Sequence, residues 1–204
     1  MKRYGLIALS VLLFVAAARA DDTADIKQAY LTYLQARMDR DLAAAKSAST
    51  GDELAQKHLA ANVEQQALMQ KLQAARMKFQ NPGGPTSQPV IPPAAQTFKG
   101  MLDTAAVKVE GDHATLTPKN GPAGYGFGFV KVDGAWKADL NHWERPVSQD
   151  DVNRMETGLP LLREIVAKID SGEIKSAQDL QAEMMNAERK VRGNTTRPAT
   201  QPGR

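Results

Sequence analysis

Three histidines, His58, His113 and His142, are the side chains of this chain whose unperturbed charge changes near neutral pH, and no cysteine accompanies them. Without sulfur there is no thiol nucleophile, no iron–sulfur cluster, no cysteine-ligated zinc and no disulfide. The histidines fall on three separate elements and show neither H-x-x-x-H nor H-x-H spacing, so neither a metal site nor a cofactor is expected. His142 is the strongest candidate for acid–base chemistry. Hairpin register, argued below, places it on an aromatic face opposite Tyr125, where burial would perturb it; the competing reading is a histidine at the sheet margin bonded to the Tyr125 hydroxyl. His113 is read as half of a solvated cross-strand pair with Glu110, and His58 as an interhelical polar group beside Gln65. An acid–base enzyme also needs a pocket carboxylate and a Tyr or neutral acid to hold an oxyanion. Asp139, the obvious strand carboxylate, is predicted on the opposite face. Tyr30, Tyr33 and Asp103 can point inward, but no spacing pairs them. Gly124, Gly126 and Gly128 alternate within a strand and do not open a helix, so they make no phosphate loop. No catalytic residue is assigned.

Helices and hairpins must position these residues. From Thr23 to about Ala48, Ile26, Tyr30 and Tyr33, with Leu31, Leu34, Met38 and Leu42 beside them, recur at helical spacing. Ser49-Thr50-Gly51 breaks that helix, and Thr50 with Glu53 forms a capping box for a second one over 51–80. There Leu54, His58, Ala61, Gln65, Leu68, Leu72, Ala75 and Phe79 make a heptad stripe. Asn81-Pro82-Gly83-Gly84-Pro85 ends it, and a Pro-rich linker occupies 81–97. Strands are expected from about Phe98. Gly111-Asp112 turns a first hairpin, and Asp133-Gly134 turns a second between Tyr125–Val132 and Ala135–Trp143. A two-residue turn fixes the second register, pairing Lys131 with Trp136, Phe129 with Ala138, Phe127 with Leu140 and Tyr125 with His142. One face then gathers Tyr125, Phe127, Phe129, Trp136, Leu140 and His142, the candidate lining of a ligand cavity, with plain hydrophobic core as the alternative. Beyond Pro146 a helix capped by Ser148 and Asp151 is interrupted at Gly158-Leu159-Pro160. Another, capped by Ser176 and Asp179, follows, so that 146–192 is a helical extension and 193–204 a disordered basic tail. Met184 and Met185 read as core or partner-facing positions.

The run Phe127-Gly128-Phe129-Val130-Lys131-Val132-Asp133-Gly134-Ala135-Trp136-Lys137-Ala138-Asp139, preceded by helices and a Gly-Asp hairpin, resembles the last hairpin of secreted bacterial members of the nuclear transport factor 2-like superfamily. The likeness covers 23–56 and 98–143. It implies an α+β, cystatin-like cone over 21–145, in which a curved antiparallel sheet wraps N-terminal helices and leaves a cavity open at one end. The superfamily includes steroid isomerases, polyketide cyclases, dehydratases and members that only bind, so the fold by itself assigns no chemistry.

Lys2 and Arg3, the apolar run Leu6–Ala18 and Ala18-Arg19-Ala20 have the order of a secretory signal peptide over 1–20. The run is shorter than the roughly 20 residues a membrane span requires. A periplasmic or extracellular protein that does not span the membrane is expected. The charge supports no nucleic-acid partner. Of 26 basic residues against 23 acidic ones, Lys2, Arg3 and Arg19 lie in the leader and five more follow Glu188, which leaves the segment 21–188 mildly acidic. The functional expectation is a non-catalytic module that binds a small apolar ligand or a protein partner through the aromatic face. The alternatives are a small isomerase, dehydratase or hydrolase using His142 with Tyr125, and a structural protein that forms a homodimer through its helices.

Overall fold

In a computed structural model of the chain, the backbone is described over residues 5–81, 92–122, 125–143 and 146–195, and side chains between Asp22 and Val191. The Pro-rich stretch 82–91, Gly124 and the tail beyond 195 lie outside the described residues. The protein is α+β, with helices and a five-stranded mixed sheet. It divides into two compact units: residues 1–56 with 91–147, and residues 57–90 with 148–204.

The first unit contains the sheet. Helix α1 (Gly5–Met38) presents Ile26, Tyr30, Tyr33 and Ala36 as its buried face, the i, i+4, i+7 spacing seen in the sequence. It stops earlier than its periodicity suggests. Arg40 takes a left-handed φ of 59°, and Asp41 accepts a hydrogen bond from the Ala44 N–H, starting the short helix α2 (Leu42–Ser47). Ser49 and Thr50, expected only to break a helix, form strand β1 and run parallel to the last strand, with Ser49 beside Ala138 and Thr50 beside Asp139. Because Thr50 is used by β1, the cap of helix α3 (Glu53–Gln80) falls to Asp52, whose carboxylate accepts from the Ala55 N–H at 2.8 Å.

A second departure lies at 94–104. The sequence reading places linker and then strand here, whereas residues Ala94–Thr104 form helix α4. Ala94, Phe98 and Leu102 repeat every four residues on it, and Pro93, with its fixed φ, immediately precedes it. Strands β2 (Ala106–Glu110) and β3 (His113–Thr117) then pair with Glu110 opposite His113, in the predicted register. Strands β4 (Phe127–Val132) and β5 (Ala135–Trp143) follow, and the sheet order is β1-β5-β4-β3-β2.

In the second unit α3, from Lys57 onward, groups with α5 (Gln149–Asp170) and α6 (Ala177–Thr195). This differs from assigning the long helix to the sheet domain, and the packing gives the reason. Leu72 is buried with Ile165, Val166, Ile174 and Leu180, and Leu68, Met69, Phe79, Leu162 and Met184 pack against them. The Ser148–Asp151 capping box forms, and Asp179 N–H donates to Ser176 Oγ at 3.0 Å. The expected interruption at Gly158-Leu159-Pro160 does not occur. Helix α5 runs through Pro160, which is exposed, while Leu159 beside it is buried and Ile165 and Val166 anchor the following turns.

Candidate functional site

The six residues expected to line one cavity separate into four places. Near the Asp133-Gly134 turn the predicted register holds, with Lys131 opposite Trp136 and Phe129 opposite Ala138. Between Phe129 and Phe127 it shifts, so that Phe127 faces Trp143 instead of Leu140. β5 uses five residues where β4 uses two, and this odd surplus exchanges the faces of everything beyond it. Trp143 turns inward and His142 outward. The side chain of His142 is 76% exposed, and the expected pairing with Tyr125 is corrected to a hydrogen bond with Asp139, whose Oδ2 lies 2.7 Å from His142 Nδ1.

Gly128 permits this geometry. A Cβ built there would lie 2.7 Å from His142 Cβ and 2.9 Å from its carbonyl oxygen. The glycine face read from the sequence is thus a close approach of two backbones at a bulge. Leu140 is buried on another side, where Gly51 leaves room for it: a Cβ on Gly51 would come within 2.9 Å of Leu140 Cβ. Trp136 is buried near the hairpin turn, and its indole N–H donates to Asp22 Oδ1 at 2.9 Å.

What remains on the aromatic face is a packed ring cluster. Tyr125 meets Phe127 edge-on at 5.4 Å; Phe127 and Phe129 lie 4.8 and 5.6 Å from Trp143. Helix α1 fills the space expected to be a cavity, with Tyr30 stacked on Trp143 at 5.8 Å and Tyr33 edge-on to it at 4.7 Å. Phe98 from α4 closes against Tyr30 at 5.9 Å. Offset and edge-to-face pairs of this kind are each worth about 0.5–1.5 kcal/mol beyond their buried area. The sequence reading missed Trp143 because the bulge reverses its face, and Phe98 because its helix was not foreseen. It did place Tyr30 and Tyr33 on the inward face of α1. Among the described residues an open cleft of about 400 Å³ is lined by Leu31, Thr32, Gln35, Ala44 and Pro93 among others; none of the six candidates borders it.

Two polar arrangements stand outside the ring cluster. At the first, Asp139 is nearly buried, with 11% of its side chain exposed; Oδ1 accepts the Asn141 N–H and Oδ2 holds His142. A carboxylate that fixes one imidazole nitrogen leaves the other presented to solvent, the orientation a histidine needs as base or ligand. At the second, Asp22 accepts from both Lys131 Nζ at 2.8 Å and Trp136 Nε1 at 2.9 Å. The Lys131 bond, followed by that of Trp136, holds the Asp22 carboxyl below its ordinary value, and Asp22 in turn raises Lys131. Asp103, the other acid considered, is exposed and paired with Lys99 along α4. Among the described residues no group of three His, Asp or Glu is arranged to hold a metal ion. Nor is any described helix long and apolar enough to cross a membrane.

No protein-family model, curated protein or solved structure matches the chain.

Proposed function

We propose that the chain is an exported, non-catalytic interaction module with a nuclear transport factor 2-like sheet domain. The observation that carries the reading is the filling of the aromatic sheet face by Tyr30, Tyr33 and Trp143. A sheet face packed with the chain's own rings acts as a rigid core and not as a reaction chamber. The superfamily assignment draws support from the order of elements: helices first, a short strand parallel to the last one, then two antiparallel hairpins. Export draws support from the leader-like first 20 residues, followed two positions on by Asp22, which is tied to the sheet. Recognition of a protein partner then belongs to outer surfaces. The helical unit buries much of its apolar stripe within itself but leaves Met77 and Met185 exposed, and methionine is an adaptable contact residue.

A solvatochromic apolar dye added to the folded full-length protein tests the reading. No saturable binding is expected, and the fluorescence of Trp143 stays unchanged. Saturable binding that disappears in Trp143→Ala, with the fold retained by circular dichroism, overturns the filled-core reading in favour of a ligand cavity.

One observation favours a second reading. The Asp139–His142 pair has the carboxylate–imidazole geometry of acid–base catalysis and sits at a bulge, a device that often re-aims side chains near active sites. It differs from the expected His142–Tyr125 pair, since Tyr125 packs on Phe127. Ester or lactone turnover abolished by both His142→Ala and Asp139→Asn establishes it; turnover that survives both removes it.

A further inference from the structure

The junction at which the leader would be removed lies inside helix α1, which runs unbroken over Gly5–Met38 and so includes Ala18, Arg19, Ala20 and Asp21. Two residues past the Ala20–Asp21 bond, Asp22 is held by Lys131 and Trp136 from the two arms of the β4–β5 hairpin. Four and eight residues further along, Ile26 and Tyr30 are buried on the same face of the helix. The helix after the junction is thus held within the sheet unit at three successive turns.

A peptidase acts on extended backbone, because its cleft pairs with the main chain as a strand would and a helix hides those groups in its own hydrogen bonds. To enter such a cleft, the residues flanking Ala20–Asp21 must unwind, and unwinding through Asp22 breaks two charge-assisted hydrogen bonds that also close the hairpin. Cleavage of a folded substrate tracks the population of its opened form.

We infer that docking of α1 on the sheet closes the Ala20–Asp21 bond to the peptidase, so that leader removal precedes folding of the sheet unit. The reaction is simple hydrolysis: one water adds across the bond, leaving the Ala20 carboxylate and an α-amino group on Asp21. The inference rests on the export reading and adds an order of events to it. Asp22 is its latch, acting by position and not by chemistry.

The test uses the full-length chain and a purified signal peptidase in detergent micelles. In one arm the chain is diluted from urea directly into peptidase. In the other it refolds first, with return of native tryptophan fluorescence as the criterion, and peptidase is added afterwards. The expected result is cleavage at Ala20–Asp21 in the first arm and at least about tenfold slower cleavage in the second. The refolded Asp22→Ala/Lys131→Ala chain, native by circular dichroism, is expected to recover much of the lost rate; recovery by unfolding alone is excluded by comparing denaturation midpoints. Equal rates in the two wild-type arms overturn the inference while leaving export intact. Failure to cut at this bond in either arm overturns export and the inference together.

Discussion

Placing one methyl group at Gly128 tests the bulge on which the site assignment depends. In Gly128→Ala the new Cβ meets His142 Cβ at 2.7 Å and the His142 carbonyl oxygen at 2.9 Å. Carbon–carbon contacts are favourable near 3.5–4.0 Å, so the strands must separate by roughly 1 Å or the bulge must rearrange. Overpacking of this kind costs about 1–3 kcal/mol. Alanine also restricts the unfolded chain, which returns about 0.4–1 kcal/mol. The net expectation is a loss of roughly 1–2 kcal/mol. In a unit of this size each 1 kcal/mol lowers Tm by about 4–8 °C. Both tryptophans of the chain, Trp136 and Trp143, belong to the sheet unit, so urea titration followed by their fluorescence reports its unfolding specifically. Two neighbours calibrate the result. In Gly126→Ala the close contact is the Thr115 methyl at 2.8 Å, which can rotate away, so the loss is smaller. In Gly100→Ala, inside α4, nothing lies within 4 Å, and the substitution stabilises by about 0.5–1 kcal/mol. Equal effects at Gly128 and Gly100 would refute the close approach, and with it the outward placement of His142.

Three further outcomes follow from the same geometry. Asp22 has a folded pKa below its unfolded value, so its contribution to stability is fully present above about pH 4 and disappears as pH falls through the folded value; the gap in denaturation midpoint between wild type and Asp22→Asn should therefore close in acid, and parallel pH profiles count against the latch. Pro160 lies exposed within a continuous helix where proline removes a backbone donor, so Pro160→Ala should stabilise the helical unit by about 1–3 kcal/mol in thermal melts followed by circular dichroism; no change would mean that α5 is broken there. Glu64 holds the Arg163 guanidinium through two bonds of 2.6 and 2.8 Å, but both side chains are more than a third exposed, so Glu64→Gln should cost less than about 1 kcal/mol, a value a double-mutant cycle with Arg163 resolves.

Much of the fold was legible because its signals are local. The Asp133-Gly134 turn has φ of 52° and 79°, which explains why the residue types at the tip predict the hairpin, and the register they set holds for the four residues nearest the turn on each strand. The spacing of Ile26, Tyr30 and Tyr33 gave the buried face of α1 without reference to what it covers. What stayed hidden depends on contacts between distant segments. Ser49 and Thr50 carry no pattern of their own, and they become a strand only because β5 offers an edge to pair with. A register rule propagates outward from a turn and has no term for a bulge, so a single irregularity beyond Phe129 sends His142 out and Trp143 in while every strand boundary on β5 stays as read. The sequence did contain the warning. Gly126 and Gly128 alternate in a strand rich in aromatics, where a side chain would otherwise be expected on each, and an absent Cβ in such a place marks backbone meeting backbone. Taken that way, Gly128 locates the bulge, and the bulge brings Asp139 and His142 onto one face three residues apart. The Asp139–His142 pair therefore follows from a residue with no side chain.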